Sequence, residues 1–186
     1  TLLLGLLAVS CRMPPFDAGV SFDVAGVDDE PSGSAELFPE VVVANANSQL
    51  DRVYGDYDAG TFSLLSDVSV DANDSQSIAL ASIDSDSNLD AVITNAAWVN
   101  RLYLGDGTGG FSAGVDIASV QNDSYGIAAG DLNGDTHTDL FVANGSSQVN
   151  RVYIGDGSGM FTGSDASVDT NESWGVVLSD FDSDGN

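Results

Sequence analysis

A repeat of about fifty residues constrains the fold of this chain more than any other feature of its sequence. Three segments align along the chain: "NSQLDRVYGDYDAGTF", "NAAWVNRLYLGDGTGGF" and "NGSSQVNRVYIGDGSGMF". Their arginines, Arg52, Arg101 and Arg151, are 49 and 50 residues apart, and the phenylalanines that close the segments keep the same spacings. A period of this length indicates one supersecondary unit that is used several times.

Each unit contains four short runs that are typical of strands. In one unit they are "YGIAAGDL", "DLFVANG", "NRVYIGD" and "MFTGSDAS", separated by clusters of Gly, Asp and Asn, and no stretch has the helical period. The Asp-Gly pairs of "GDGTGG" and "GDGSGM" supply the positive φ values that tight hairpin turns require. The pattern therefore predicts an all-β chain built from propeller blades.

An acidic segment recurs between the first two strands of a unit. In "DLNGDTHTD", Asp131, Asn133, Asp135 and Asp139 stand at positions 1, 3, 5 and 9, and the carbonyl of His137 stands at position 7. Oxygen donors at this spacing are typical of a calcium loop. The glycine expected at position 6 is Thr136, so we expect a strained backbone there.

Two more copies of this loop follow the same register. The earlier copy, "SIDSDSNLD", is weaker because a serine replaces the aspartate at position 1; its candidate ligands are Ser82, Asp84, Asp86, Asn88 (through its carbonyl) and Asp90. The later copy, "DFDSDGN", offers Asp180, Asp182, Asp184 and Asn186, and it stops before position 9, so we expect the chain to be a fragment. A single copy is equally compatible with a solvated turn, but three copies in register favour Ca²⁺.

At this point the residues show a family resemblance. The segment "GDLNGDTHTDLFVAN…NRVYIGDGSGMF" resembles the FG-GAP/VCBS repeat, the blade unit of integrin-α-like β-propellers, and the resemblance extends over residues 40–186. It implies Ca²⁺ between the first two strands of a blade and a role in adhesion or ligand recognition. It also implies a partial β-propeller, with about three four-stranded blades of a seven-bladed propeller that needs roughly 340 residues.

The N-terminal segment predicts export. "TLLLGLLAVSC" has the length of a signal-peptide apolar region and is too short to span a bilayer. It resembles a bacterial lipobox, with Ala8 where leucine is usual, and the alternative is an ordinary signal peptide cleaved nearby. We therefore predict a signal or lipobox-like segment at 1–11, a linker or degenerate first blade at 12–39, and an incomplete propeller at 40–186. Lipidation of Cys11 would attach the protein to the outer membrane.

The charge of the chain limits its partners. Twenty-nine acidic residues against four basic ones give a formal net charge of -25. Such a surface repels nucleic acid and anionic lipid, so a membrane is a partner only through a lipid anchor, whereas divalent cations suit it. His137 is the only histidine, so a Ser-His-Asp site would have to use a residue of the metal loop, and no catalytic residue can be identified.

Three functions remain compatible with the sequence. The first is an extracellular or cell-surface module without catalytic activity that binds a protein or a glycan. The second is the propeller domain of a secreted carbohydrate-active enzyme of the lyase or dehydratase type, and the third is a structural spacer in a larger surface protein. We also expect Arg101 and Arg151 to pair with the nearby Asp106 and Asp156. Tyr125 and Trp174, at one repeat position, should pack between blades, although with Trp98 they could instead form a sugar-binding surface.

Overall fold

Eleven short strands and no helix form in the parts of the chain that the computed structural model describes, which are residues 41–58, 61–68 and 71–180. The first sheet contains β1 (Val41–Val43), β2 (Arg52–Asp58) and β3 (Thr61–Asp67). The second contains β4 (Ser75–Ala81), β5 (Asp90–Asn95), β6 (Arg101–Tyr103) and β7 (Val115–Asp116). The third contains β8 (Ser124–Gly130), β9 (Asp139–Asn144), β10 (Arg151–Gly155) and β11 (Phe161–Asp165).

Each sheet is an antiparallel meander, with its strands paired in chain order. The second and third sheets share one register: Ala81 pairs with Asp90 where Gly130 pairs with Asp139, and both inner strands are irregular at the same point near their start. The repeat in the sequence is thus a repeat of strand pairing. The prediction of an all-β chain with four-stranded units, a partial β-propeller, is confirmed.

The sheets pack face to face around two apolar clusters. Val53, Ile78 and Ile93 belong to the cluster between the first and second sheets, whereas Val92 and Leu140 belong to the cluster between the second and third. Residues 91–93 of β5 are at most 1 % exposed, because neighbouring side chains on a strand point to opposite faces and both faces are covered. This two-sided burial explains why β5 and β9 read as nearly continuous apolar runs.

The repeated arginines bind acids across their hairpins, and the expected partners Asp106 and Asp156 were wrong. Arg101 Nε lies 3.4 Å from Asp116 Oδ1, and Arg151 Nη1 lies 2.6 Å from Asp165 Oδ1. The strand register pairs these residues directly. Arg52 and Asp67 are related in the same way in the first sheet.

Asp106 and Asp156 have a local role instead. Asp106 Oδ1 accepts hydrogen bonds from the backbone N–H and the hydroxyl of Thr108 and from the N–H of Gly110, which closes its turn. These bonds, the one from the Thr108 N–H foremost, lower the pKa of Asp106. Ser158 and Met160 donate to Asp156 in the equivalent way. The short reach of an aspartate at the start of a turn favours its own turn over a distant arginine.

Candidate metal centres

Both described acidic loops lie at the same place in their sheets. Residues 82–89 join β4 to β5, and residues 131–138 join β8 to β9. In each loop the backbone is left-handed at positions 4 and 6: φ is 65° at Ser85 and 73° at Ser87, and 80° at Gly134 and 73° at Thr136. The expected strain at Thr136 is therefore present, because residues other than glycine rarely adopt such angles. These two angles curl each loop back on itself.

Side chains at positions 3 and 5 stabilise the curl by local hydrogen bonds. In the later loop, Asn133 Oδ1 accepts from the N–H of Asp135 at 2.8 Å, and Asp135 Oδ1 accepts from the N–H of His137 at 2.8 Å. In the earlier loop, Asp84 Oδ1 and Asp86 Oδ1 accept in the same pattern, each from the N–H two residues later. These turns explain why short Asp and Asn side chains occupy alternate positions.

The position-9 aspartates are buried and hold the loop to the sheet. Asp139 is 0 % exposed; its Oδ2 accepts from the N–H of Leu132 at 2.9 Å, and its Oδ1 accepts from the N–H of Gly155 at 2.8 Å. Asp90 makes the same two contacts, with Ile83 and Gly105. One carboxylate thus joins its own loop to the end of the third strand of its sheet. The sequence had assigned these residues only a ligand role.

The earlier loop brings three carboxylates together. An oxygen from each of Asp84, Asp86 and Asp90 lies within 4.8 Å of the other two. Ser82, the serine at position 1, contributes its carbonyl oxygen to a hydrogen bond from Thr138 at 2.9 Å. The sequence ranked this copy as the weaker one, yet its aspartates converge, and a set made only of oxygens fits a hard cation such as Ca²⁺.

In the later loop, the position-1 carboxylate is directed at the loop backbone. Asp131 Oδ1 accepts from the N–H groups of Asn133, Gly134 and Asp135, and Oδ2 accepts from that of Thr136 at 2.8 Å. These bonds, the one from Thr136 foremost, hold the pKa of Asp131 below its ordinary value. An ionised carboxylate at position 1 is what a cation ligand requires.

The hairpin turn between the third and fourth strands lies against each loop. An added Cβ at Gly105 would collide with the carbonyl oxygen of Leu89, and one at Gly155 would collide with that of Thr138. Gly107 and Gly157 lie equally close to the position-7 side chains of Asn88 and His137. The sequence assigned these glycines to turn geometry alone. Their repetition at the same distance from each acidic loop was the signal that they also contact it.

Contacts also cross from one sheet to the next at this end. Ser85 Oγ donates to the carbonyl of Gly157 at 3.1 Å, and Thr138 Oγ1 donates to the carbonyl of Ser82. The loop of the second sheet is thus bonded to the turn and the loop of the third. A change in the conformation of one loop would therefore also disturb the hydrogen bonds between the two sheets.

The remaining candidate ligands lie at the edge of what the structure describes or beyond it. Asp180 ends the described part of the third copy, whereas Asp182, Asp184 and Asn186 lie outside the described residues. Cys11 and the predicted segments 1–11 and 12–39 also lie outside them. These assignments, and the carbonyl donors of Asn88 and His137, remain predictions.

The aromatic residues contact one another as expected. Tyr125 and Trp174 are stacked, with ring centroids 4.5 Å apart and an interplanar angle of 22°. Their contact joins β8 to the segment that begins the next unit, as packing between blades predicts. Trp174 nevertheless remains 46 % exposed, and Trp98 is 53 % exposed.

A comparison with protein-family models identifies the repeat. The model described as FG-GAP-like repeat matches residues 83–142 and again 131–186, which together cover more than half of the chain. The chain belongs to the FG-GAP repeat family. Each match to the FG-GAP-like repeat begins inside an acidic loop, and the two matches share the loop at residues 131–139. FG-GAP repeats often bind Ca²⁺, which agrees with the convergence of Asp84, Asp86 and Asp90.

No curated protein matches the sequence significantly. Across residues 41–58, 61–68 and 71–180, no helix has the length and apolarity needed to cross a lipid bilayer.

Proposed function

We propose that this FG-GAP repeat chain is a non-catalytic, calcium-braced β-propeller module that is exported and presents its loops to a protein or glycan at the cell surface. The observation that carries the proposal is the convergence of Asp84, Asp86 and Asp90 within 4.8 Å. Carboxylates at that distance repel one another strongly unless a cation or a proton lies between them. A divalent cation relieves this repulsion in a chain whose net charge is already -25.

The loops supply donors for a calcium shell. Asp84, Asp86 and Asp90 would hold the cation in the earlier loop, with the carbonyl of Asn88 as a further ligand. Asp131, Asn133, Asp135 and Asp139, with the carbonyl of His137, would hold it in the later one. Together with water, such a set reaches the six to eight oxygens that Ca²⁺ takes. Bound there, the cation would stabilise the pairing of the two strands that each loop connects.

Export agrees with this chemistry. Calcium sites in extracellular modules have dissociation constants of about 10⁻⁴ to 10⁻³ M, so even a shallow, exposed loop is filled outside the cell. The lipobox-like segment supports attachment through Cys11. Labelling with a fatty-acid analogue tests this point: incorporation that is lost in Cys11→Ser supports an anchor, and an unlabelled wild-type protein contradicts it.

A recognition surface is supported by exposed aromatic side chains. Trp98 and Trp174 are each about half exposed, and amphipathic rings of this kind stack on sugars and anchor protein partners. Glycan-array binding by the wild-type chain that Trp98→Ala and Trp174→Ala both reduce would support a glycan ligand. Binding that both variants leave unchanged would exclude these rings as the contact.

Calcium binding is tested by thermal melts of the full chain with Ca²⁺ and with a chelator. At a calcium concentration 100 times the dissociation constant, each site adds about 2.7 kcal/mol to the free energy of unfolding. For a chain of this size that corresponds to a rise in Tm of roughly 5 to 11 °C per site. Asp86→Asn and Asp135→Asn should each remove the part of the calcium-dependent rise in Tm that comes from their own loop.

The matched control is Asp169→Asn, which makes the same charge change at an exposed residue outside the loops. It should keep the full response to calcium. Sodium chloride at equal ionic strength should restore only part of the stability lost to the chelator, because screening supplies no coordination. Superimposable curves with calcium, chelator and salt would refute calcium binding and leave the loops as acidic turns.

A further inference from the structure

A buried chain of hydrogen bonds crosses from sheet to sheet, at a distance from the acidic loops. We call it the polar ladder. Each unit contributes three residues: an asparagine at or just beyond the end of the strand that precedes the repeated arginine, the residue immediately before that arginine, and, where the next unit begins, a serine. Its members are Asn45, Asp51, Ser75, Asn95, Asn100, Ser124, Asn144, Asn150 and Ser173.

At the junction of the second and third sheets, every donor in the ladder has one acceptor. Asn100 Nδ2 donates to Ser124 Oγ at 3.0 Å, and Ser124 Oγ donates to Asn144 Oδ1 at 2.8 Å. Asn150 Nδ2 continues the pattern to Ser173 Oγ at 3.0 Å. The serine hydroxyl therefore accepts one hydrogen bond and gives one, which uses its single proton fully.

The junction of the first and second sheets differs by one residue. Asp51 stands where the other units have Asn100 and Asn150. Ser75 Oγ lies 3.0 Å from Asp51 Oδ2 and 3.0 Å from Asn95 Oδ1. The amide of Asn95 is oriented by its donation from Nδ2 to the carbonyl of Val99, so Oδ1 faces the serine as an acceptor.

An ionised Asp51 leaves this junction one proton short. The hydroxyl of Ser75 has a single hydrogen, and a carboxylate and an amide oxygen would both require it. The other oxygen of the carboxyl group, Oδ1, already accepts from the N–H of Asn45 at 2.7 Å. A proton on Oδ2 would donate to Ser75, release its hydrogen for Asn95, and reproduce the pattern found at Asn100.

The surroundings of Asp51 favour the neutral form. Asp51 is 1 % exposed and Ser75 is 2 % exposed, so neither is solvated by water. Asp71 adds a repulsive charge, and it is itself bound by Arg101 at 2.7 Å, whereas Arg52 pairs with Asp67. Burial, and to a smaller extent Asp71, raise the pKa of Asp51 from 3.8 to about 6, against the lowering effect of the hydrogen bonds from Asn45 and Ser75.

We propose that Asp51 carries a proton that it donates to Ser75, so that the junction of the first and second sheets is complete only in this acid form and loosens when the proton leaves. The asparagine junctions hold the same bonds at any pH. The raised pKa fixes the sign of the effect: the stabilisation is full below pH 3.8, the ordinary value, and is lost as the pH rises through about 6. The first blade would thus bind the second more tightly in acidic than in alkaline surroundings.

The test compares the full wild-type chain with Asp51→Asn at fixed calcium concentration, from about pH 4 to pH 8. The variant carries the residue found at the other junctions. The Tm of the variant minus that of the wild type should therefore increase as the pH rises, and it should become constant above about pH 6. Effects of the other carboxylates are common to both chains and cancel in the difference. A difference in Tm that does not change with pH would overturn the proposal.

Two further measurements make the test independent of that variant. Carbon-13 NMR titration of the Asp51 side-chain carboxyl in the wild-type chain should give a midpoint near 6; a midpoint near 3.8 would refute the proposal. The reciprocal variant Asn100→Asp places a carboxyl at the matching junction. The Tm of this variant relative to that of the wild type should fall as the pH rises. A decrease in Tm that is the same at every pH would count against the mechanism.

Discussion

Replacing Asp139 by alanine should destabilise the third sheet even when no calcium is present. The carboxylate is fully buried and accepts from Leu132 N–H at 2.9 Å and from Gly155 N–H at 2.8 Å. The Gly155 bond is buried and the Leu132 bond is partly buried, so both donors would lose their acceptor with little access to water. This makes Asp139 a structural residue in addition to a candidate ligand.

The structure gives the size of the effect. A hydrogen bond to a charged group contributes about 1.5 to 3 kcal/mol, and the two bonds together should contribute about 3 to 5 kcal/mol because one is partly solvated. Asp135 provides the contrast. It is exposed, and without calcium its truncation breaks two local bonds, one from the N–H of His137 and one from Nδ2 of Asn133. Because water can replace both bonds, Asp135→Ala should cost less than about 1 kcal/mol.

The assay is thermal and urea unfolding of the full chain in chelator and in calcium. In chelator, Asp139→Ala should lower Tm by roughly 6 to 20 °C, while Asp135→Ala should follow the wild type closely. In calcium, both variants should lose the metal-dependent gain. An Asp139→Ala variant that melts with the wild type in chelator would show that this carboxylate acts only through the metal, and the reasoning from its two hydrogen bonds would be refuted.

Two further predictions concern the backbone of the same loop and its neighbouring turn. Thr136→Gly should raise the free energy of unfolding in chelator by about 0.5 to 1 kcal/mol because φ is 73° there. Gly134→Ala should lower this free energy by about 1 kcal/mol through strain alone, since φ is 80° and the added Cβ meets open space. Equal urea midpoints for the two variants would contradict this prediction. Gly155→Ala should lower the free energy of unfolding by about 1 to 3 kcal/mol, since its Cβ would collide with the carbonyl of Thr138. A urea midpoint at or above that of the wild type would show that the turn and the loop can separate freely.

Local sequence determined the units of this protein. The alternation of short apolar runs with Asp-Gly turns defines each strand, because strand and turn preferences act between residues that are close in the chain. The acidic loops were equally readable: the strain expected at Thr136 appears as a left-handed backbone, and the side chains at positions 3 and 5 make the turns that their spacing predicts. The repeat then placed four such strands in the second sheet and four in the third.

Partners across the sheets were decided only by the tertiary structure. Strand register places Asp116 opposite Arg101 and Asp165 opposite Arg151, and packing brings Asp71 to Arg101 as well. Proximity in sequence therefore misled the choice of Asp106 and Asp156. The sequence also ranked the loop at Ser82 below that at Asp131, yet three carboxylates converge in the former. In the latter, the carboxylate of Asp131 accepts hydrogen bonds from four N–H groups of its own loop. Asp51 looks like one more surface acid among 29, and only the packing of two sheets buries it between Asn45 and Ser75. Burial and hydrogen-bond partners depend on how the sheets pack together. The sequence indicates them only where the same contact recurs in every unit.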